Sequence, residues 1–196
     1  MPRKGLTKEV VIDTAFQMVA QEGYHAFSLH KLALQLGIKP ASLYNHVEGL
    51  EELTDEIRFR SASMIRQAEL DAVRDKTGDD AVFALCEAYR AFALENMELY
   101  KINMGLQMDR VEAAGFKKGE IIDPIFQVLS CYRLERSELM HWHRILRAMM
   151  HGFISQECEG RFRGFCADRN ETFRLGIETV LLGIHASQSR QKACKE

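Results

Sequence analysis

Cysteine, proline and charge of one sign are all in short supply, and each shortage closes a class of reading. The five cysteines, Cys86, Cys131, Cys158, Cys166 and Cys194, are scattered, odd in number and never form a CxxC pair. That spacing argues against a disulfide framework and against a zinc knuckle, and leaves reduced thiols. Three prolines in 196 residues leave room for long uninterrupted helices. No run approaches the roughly 18 apolar residues of a membrane span, and the start of the chain lacks the order of a secretion signal, so a cytoplasmic location is expected. The net charge is -2, and residues 1–60 carry seven Lys or Arg against eight Asp or Glu. A nucleic acid would have to be held by local contacts, not by a bulk basic field.

Signatures of catalysis are missing as well. There is no P-loop, no GxGxxG after a strand, no GxSxG elbow and no HExxH. His141 and His143 stand two residues apart and point to different sides of a helix, and His143 and His151 lie more than two turns apart. No enzyme, cofactor or metal site is expected.

Runs of alternating β-branched residues are absent too, while helical periodicity appears nearly everywhere, which predicts an all-α fold. At 46% hydrophobic and 28% charged, the chain can bury a sizeable core. Thr7 fits the N-cap of a first helix, with Leu6 and Val11 as a hydrophobic staple, Ile12, Ala15, Phe16 and Val19 on one face, and Gly23 at its end. Ser28 caps a second helix that turns Leu29, Leu32, Ala33 and Leu36 inward. Gly37 permits the left-handed backbone of a sharp turn, and Ile38 plugs the corner. Pro40 suits the first turn of a third helix whose buried side is Leu43, Tyr44 and Val47. Ala33 is small enough for two crossing helices to approach closely, and with Gly37 four residues later this is the spacing of a helix-turn-helix. A fourth helix runs from about Leu50 to Val73.

The run EVVIDTAFQMVAQEGYHAFSLHKLALQLGIKPASLYNHV, followed by EEL, resembles the DNA-binding domain of the TetR family of transcriptional regulators. The resemblance implies a helix-turn-helix domain over residues 1–50, a connecting fourth helix over about 50–73, and a duplex DNA operator as partner. It implies that Lys39, Pro40, Ala41, Ser42 and Asn45 face the groove or the bases, and that Tyr44 and His46 approach phosphates. A hydroxyl, an amide and a methyl group at Ser42, Asn45 and Ala41 suit base edges and the thymine methyl. Thr7, Ser28 and the Arg3–Lys4 arm are candidates for backbone contacts, and Lys8 adds a third cation before the first acid. Two positions depart from the family pattern. Leu50 stands where a phosphate-binding lysine is common, and Lys39 stands where a capping residue is common.

Beyond the polar break KTGDD, a second domain is expected over residues 77–190. A fifth helix carries Val82, Leu85, Cys86, Tyr89, Phe92 and Ala93, and a short sixth covers Glu98 to Gln107. A longer helix from Val111 to Tyr132 is expected to kink at Asp123–Pro124. Two long helices, Ser137–Glu159 and Arg169–Ser189, end the chain. The first is apolar around much of its circumference, and the second has a small-residue side of Gly176, Thr179, Gly183 and Ser187. They are read as half of a four-helix homodimer interface, with Leu139, Leu146, Phe153, Gly176, Thr179, Val180 and Gly183 at the contact. The stretches YRAFALENMELYKINMG and WHRILRAMMHGFISQECEGRF resemble a TetR-family subgroup, which implies a regulatory domain that takes a small effector and governs a dimeric regulator, most commonly a repressor. Phe92, Met97, Met104, Met108, Phe126, Trp142, Met149 and His151 are candidates to line an adaptable apolar pocket with one polar handle. The rival expectations are metal or redox sensing through Cys158, Cys166 and the histidines on the same fold, and a scaffold that does not bind DNA.

Overall fold

The computed structural model describes residues 6–104, 123–164 and 166–193, and every regular element among them is helical. In chain order these are α1 (Lys8–Glu22), a 3-10 turn (Tyr24–Ala26), α2 (Leu29–Leu36), α3 (Pro40–Leu43), α4 (Leu50–Val73), α5 (Gly78–Glu95), α6 (Met97–Asn103), α7 (Pro124–Leu129), a second 3-10 turn (Ser130–Tyr132), α8 (Arg136–Cys158) and α9 (Arg169–Ala193). The chain divides into two compact units. Residues up to Met64 join Asn96–Lys118 in the first, and Ile65–Glu95 joins Gly119–Glu196 in the second, so the boundary falls inside α4.

The first unit is built on local signals that agree with one another. Thr7 Oγ1 accepts the Val10 N–H at 3.3 Å to start α1. Gly23 stops that helix at φ 83°, and its N–H returns to the Val19 carbonyl. Ser28 Oγ accepts from Lys31 N at 3.2 Å, and Gly37 takes the left-handed conformation, φ 66°, that turns α2 toward α3. Val11, Ala15, Val19, Leu32, Ala33, Leu43, Leu53 and Ile57 fuse into one core with Leu99 and Ile102 of α6. Polar contacts fix α6 there, because Ser61 Oγ donates to the Leu99 carbonyl at 2.9 Å and Arg58 Nε to that of Ile102 at 3.2 Å.

In the second unit α5, α7, α8 and α9 pack around Leu85, Ile125, Leu129, Leu146, Met150, Ile154, Phe173 and Ile177. Asp123 and Pro124 begin α7, with Asp123 Oδ1 accepting from Ile125 N at 3.0 Å and the proline in the first turn. The expected kink at Asp123–Pro124 is therefore a helix start, since a proline in the first turn forfeits no hydrogen bond. The expected stretch from Val111 lies outside the described residues. A buried ion pair ties α5 to α8: Arg90 donates through Nε and Nη2 to the two Glu157 oxygens, each at 2.8 Å. The guanidinium also lies over the rings of Phe153 and Phe173, at 5.6 and 5.0 Å.

Candidate nucleic-acid interface

The segment expected to read DNA is short. Helix α3 spans four residues and continues as a hydrogen-bonded turn in which His46 N and Val47 N both return to the Leu43 carbonyl. Leu43 and Val47 anchor it in the core, 1% and 4% exposed. Lys39, Pro40, Ala41, Tyr44 and Asn45 are exposed, and Ser42 and His46 are half-buried. Tyr44, expected on the buried side, is 60% exposed. It lies one residue past the anchor Leu43, about 100° round the segment and clear of the core. Lys39 occupies the N-cap without a side-chain cap bond, leaving its ammonium free of the helix it precedes.

Charge on this unit is local. Lys8 pairs with Glu52, Arg60 with Asp13, Arg58 with Asp55 at 3.2 Å, and Lys31 lies 3.8 Å from Glu22. Among the described cations of residues 6–64, Lys39 alone makes no ion pair, and it stands at the mouth of the reading segment. Glu52 also accepts the Glu48 N–H one turn before it, which closes the start of α4 from inside. Sequence reasoning missed this role of Glu52, because nothing local shows that Lys8 and Glu52 meet across 44 residues. Leu50, where a cation was missed, is 40% exposed at the same helix start. Arg3 and Lys4 lie outside the described residues.

Sequence comparison gives this geometry a family. "Bacterial regulatory proteins, tetR family" matches residues 11–57, and "Tetracyclin repressor-like, C-terminal domain" matches residues 82–180. The chain belongs to the TetR family. It is 30% identical to YobS, an uncharacterized HTH-type transcriptional regulator of Bacillus subtilis, over 93% of this chain and 95% of that one. A second uncharacterized HTH-type regulator, from Mycobacterium tuberculosis, is 31% identical over 79% of this chain and 72% of its own. Among solved structures, a protein with unknown function from Rhodococcus sp. RHA1 superposes with a TM-score of 0.74 at 20% identity, covering 93% of this chain and 97% of that one. The Streptomyces coelicolor TetR family protein ActR in complex with (S)-DNPA gives 0.62 at 19% identity, covering 92% and 98%. The TetR-family chain is thus a DNA-binding transcriptional regulator of helix-turn-helix type.

The regulatory residues expected of this TetR-family chain fall into separate groups. Met97 on α6 and the exposed Met104 just after it belong to the first unit, while Phe92, Phe126, Trp142, Met149 and His151 belong to the second, and Met108 lies outside the described residues. Trp142 and Met149 are taken up by the contact with α9. Trp142 Nε1 donates to Ser187 Oγ at 3.2 Å, and the Met149 sulfur would stand 3.2 Å from a Cβ on Gly176. On another side of α8, His143, Arg147 and His151 follow at i, i+4, i+8. His143 Nε2 and Arg147 both reach Asp123 Oδ2, the former at 2.9 Å, and the His143 ring stacks on Phe126 at 4.0 Å. His151 Nδ1 meets the Tyr89 hydroxyl at 3.0 Å, and burial, with Arg147 nearby, pushes its pKa down to about 4.

The residues expected at a dimer contact fall in different surroundings. Leu146 and Val180 are in the core, Phe153 packs on Phe162 and Phe173 of its own chain, and Gly176 and Gly183 face Met149 and Trp142. Gly176 and Gly183 thus serve approach to α8 within one chain. Thr179 remains exposed and Leu139 half-buried. What the two helices leave bare is Ile145 at 45% on α8 and Leu175 and Leu182 at 54% and 71% on α9, with Ala148, Gly152 and Ala186 beside them.

Proposed function

We propose that this regulator is a homodimer that represses from a near-palindromic DNA site and is released by a small apolar or aromatic effector held in the second unit. The observation that carries the DNA half is the unpaired Lys39 at the head of a segment whose Ala41, Tyr44 and Asn45 are exposed and whose Leu43 and Val47 are fixed. The dimer half is supported by the bare stripe of Leu175, Thr179 and Leu182 beside Ile145. Singly exposed leucines need no explanation, but a stripe of them along two adjacent helices asks for a cover. Effector release is supported by two fold relatives that carry ligands: ActR with (S)-DNPA, and a TetR variant from Acinetobacter baumannii in complex with minocycline. An effector that favours a dimer with wider spacing of the reading segments weakens DNA binding by linkage, without touching DNA.

The test is binding of the full protein to DNA from immediately upstream of its own coding region, over a salt series, beside a Ser42→Ala, Tyr44→Ala variant. Saturable binding that the variant weakens by about tenfold or more, and that falls with salt, is the expected result. Equal binding by the variant would remove the reading segment from the interface.

A further inference from the structure

Asp79, in the first turn of α5, is where side chains from two distant parts of the second unit converge. Tyr132, in the second 3-10 turn, donates its hydroxyl to Asp79 Oδ1 at 2.6 Å, and His185 Nε2, on α9, lies 3.0 and 2.9 Å from the two carboxylate oxygens. The other nitrogen of the ring, Nδ1, stands 3.3 Å from Gln188 Oε1. That amide cannot be turned round, because Gln188 Nε2 donates to the Tyr132 carbonyl, which can only accept. Both ring nitrogens of His185 therefore face acceptors, one a carboxylate and the other an amide oxygen. A neutral imidazole has one N–H and satisfies one of them, whereas the imidazolium satisfies both.

The surroundings favour the same charge state. The bond to Asp79 raises the His185 pKa above its ordinary 6.5, against burial and with help from Gln188 and the Asp79 charge. Burial works against ionisation of Asp79, but the bonds from Tyr132 and His185 outweigh it and lower its pKa. Burial, followed by Asp79, holds Tyr132 as a neutral phenol. Asp80 follows Asp79 on α5, Cys131 precedes Tyr132 in the turn, and Glu138 of α8 is taken up by Gln191. The charge that acts on the ring is that of Asp79. His185 and Asp79 are 47% and 46% exposed, so the proton exchanges with solvent without the fold opening.

These bonds join the start of α5, the Ser130–Tyr132 turn and the C-terminal half of α9, and the His185 ring packs edge-on to Tyr132 with centroids 5.6 Å apart. The carbonyl that Gln188 holds belongs to the residue before Arg133, whose φ of 52° is the one left-handed non-glycine backbone among the described residues. We propose that His185, Asp79 and Gln188 form a proton-operated clamp on α9, closed while the imidazole carries both protons. When the ring gives one proton to solvent, Nε2–H keeps Asp79, and the bare Nδ1 faces the Gln188 oxygen, lone pair to lone pair. Gln188 then turns away, frees the Tyr132 carbonyl and loosens α9 from the turn.

Titration of the full protein over about pH 5 to 9, followed through the histidine side-chain NMR signals, tests the clamp, with the His185 signal assigned by its loss in His185→Gln. The wild-type ring is expected to titrate above about 6.5, and at lower pH in Asp79→Asn, which removes the charge, and in Gln188→Leu, which removes the second acceptor. Titration at or below 6.5 in the wild type, or an unchanged value in either folded variant, would overturn the proposal. Urea unfolding gives a reading that needs neither variant. With the folded pKa above the unfolded one, the stabilisation is full below about 6.5 and fades as pH rises through the folded value. Between about pH 6 and 8 the wild type should therefore lose stability relative to His185→Gln, by about two- to fivefold in the unfolding equilibrium for a pair half in solvent. Equal pH dependence of the two proteins would overturn the clamp as well.

Discussion

At the scale of single residues, the first unit shows a cation withdrawn from use. Lys8 follows Thr7 at the head of α1, where counting charges would assign it to phosphate, yet Glu52 holds its ammonium. Glu52→Gln should release it while keeping an acceptor for the Glu48 N–H. DNA binding should then tighten and the slope of log affinity against log salt should steepen by about one. A fluorescence-anisotropy series against the wild type would show this, and an unchanged slope would mean that Lys8 stands clear of the duplex. Lys39 needs no such release, because among the described residues no carboxylate holds it.

At the scale of elements, capping residues made the first unit legible. Thr7, Ser28 and Gly37 each act through bonds to residues within a few positions, and the structure bears out all three. Helix rotation was less legible. Periodicity groups Gly176, Thr179 and Gly183 on one side of α9, but it does not say whether that side meets the same chain or a second one. The answer lies in Trp142, whose ring fills the space over Gly183, and the pairing of two residues 41 positions apart leaves no local trace. A Cβ on Gly183 would come 2.9 Å from Trp142 Cζ3, against a rigid ring, whereas on Gly176 it would meet only the flexible end of Met149. Gly183→Ala should therefore cost about 1–3 kcal/mol of overpacking, more than the roughly 1 kcal/mol that alanine returns in a helix. Gly176→Ala should be near neutral or mildly stabilising. Urea unfolding of both variants decides between this packing and one in which the two glycines are equivalent. The candidate site was half legible for the same reason. The exposure of Ala41, Tyr44 and Asn45 follows from the motif, while the contacts of His143 and Arg147 with Asp123 join residues 20 and 24 positions apart and leave no local trace.

At the scale of the whole molecule, the bare leucines of α9 give the proposed dimer its test. Leu182 is 71% exposed on a helix whose other sides are already packed. Leu182→Glu should leave the fold intact and shift a dimer toward monomer, because a charge in the centre of a two-fold contact meets its own copy. Sedimentation velocity across a concentration series should show the shift, and operator affinity should drop with it. A variant that still sediments as the wild type would clear Leu182 from the contact.

Arg90 and Glu157 carry a consequence for how this sequence can drift. Each is nearly enclosed and satisfies the other in bidentate fashion between two phenylalanine rings. Losing either partner alone strands a buried charge at a cost of about 3–5 kcal/mol, a large share of a typical domain's stability, while replacing both with apolar side chains of similar volume is often close to neutral. The two positions therefore form a valley that single mutations do not cross. Descendant lineages should hold both residues or neither, and the two should be inherited as one character.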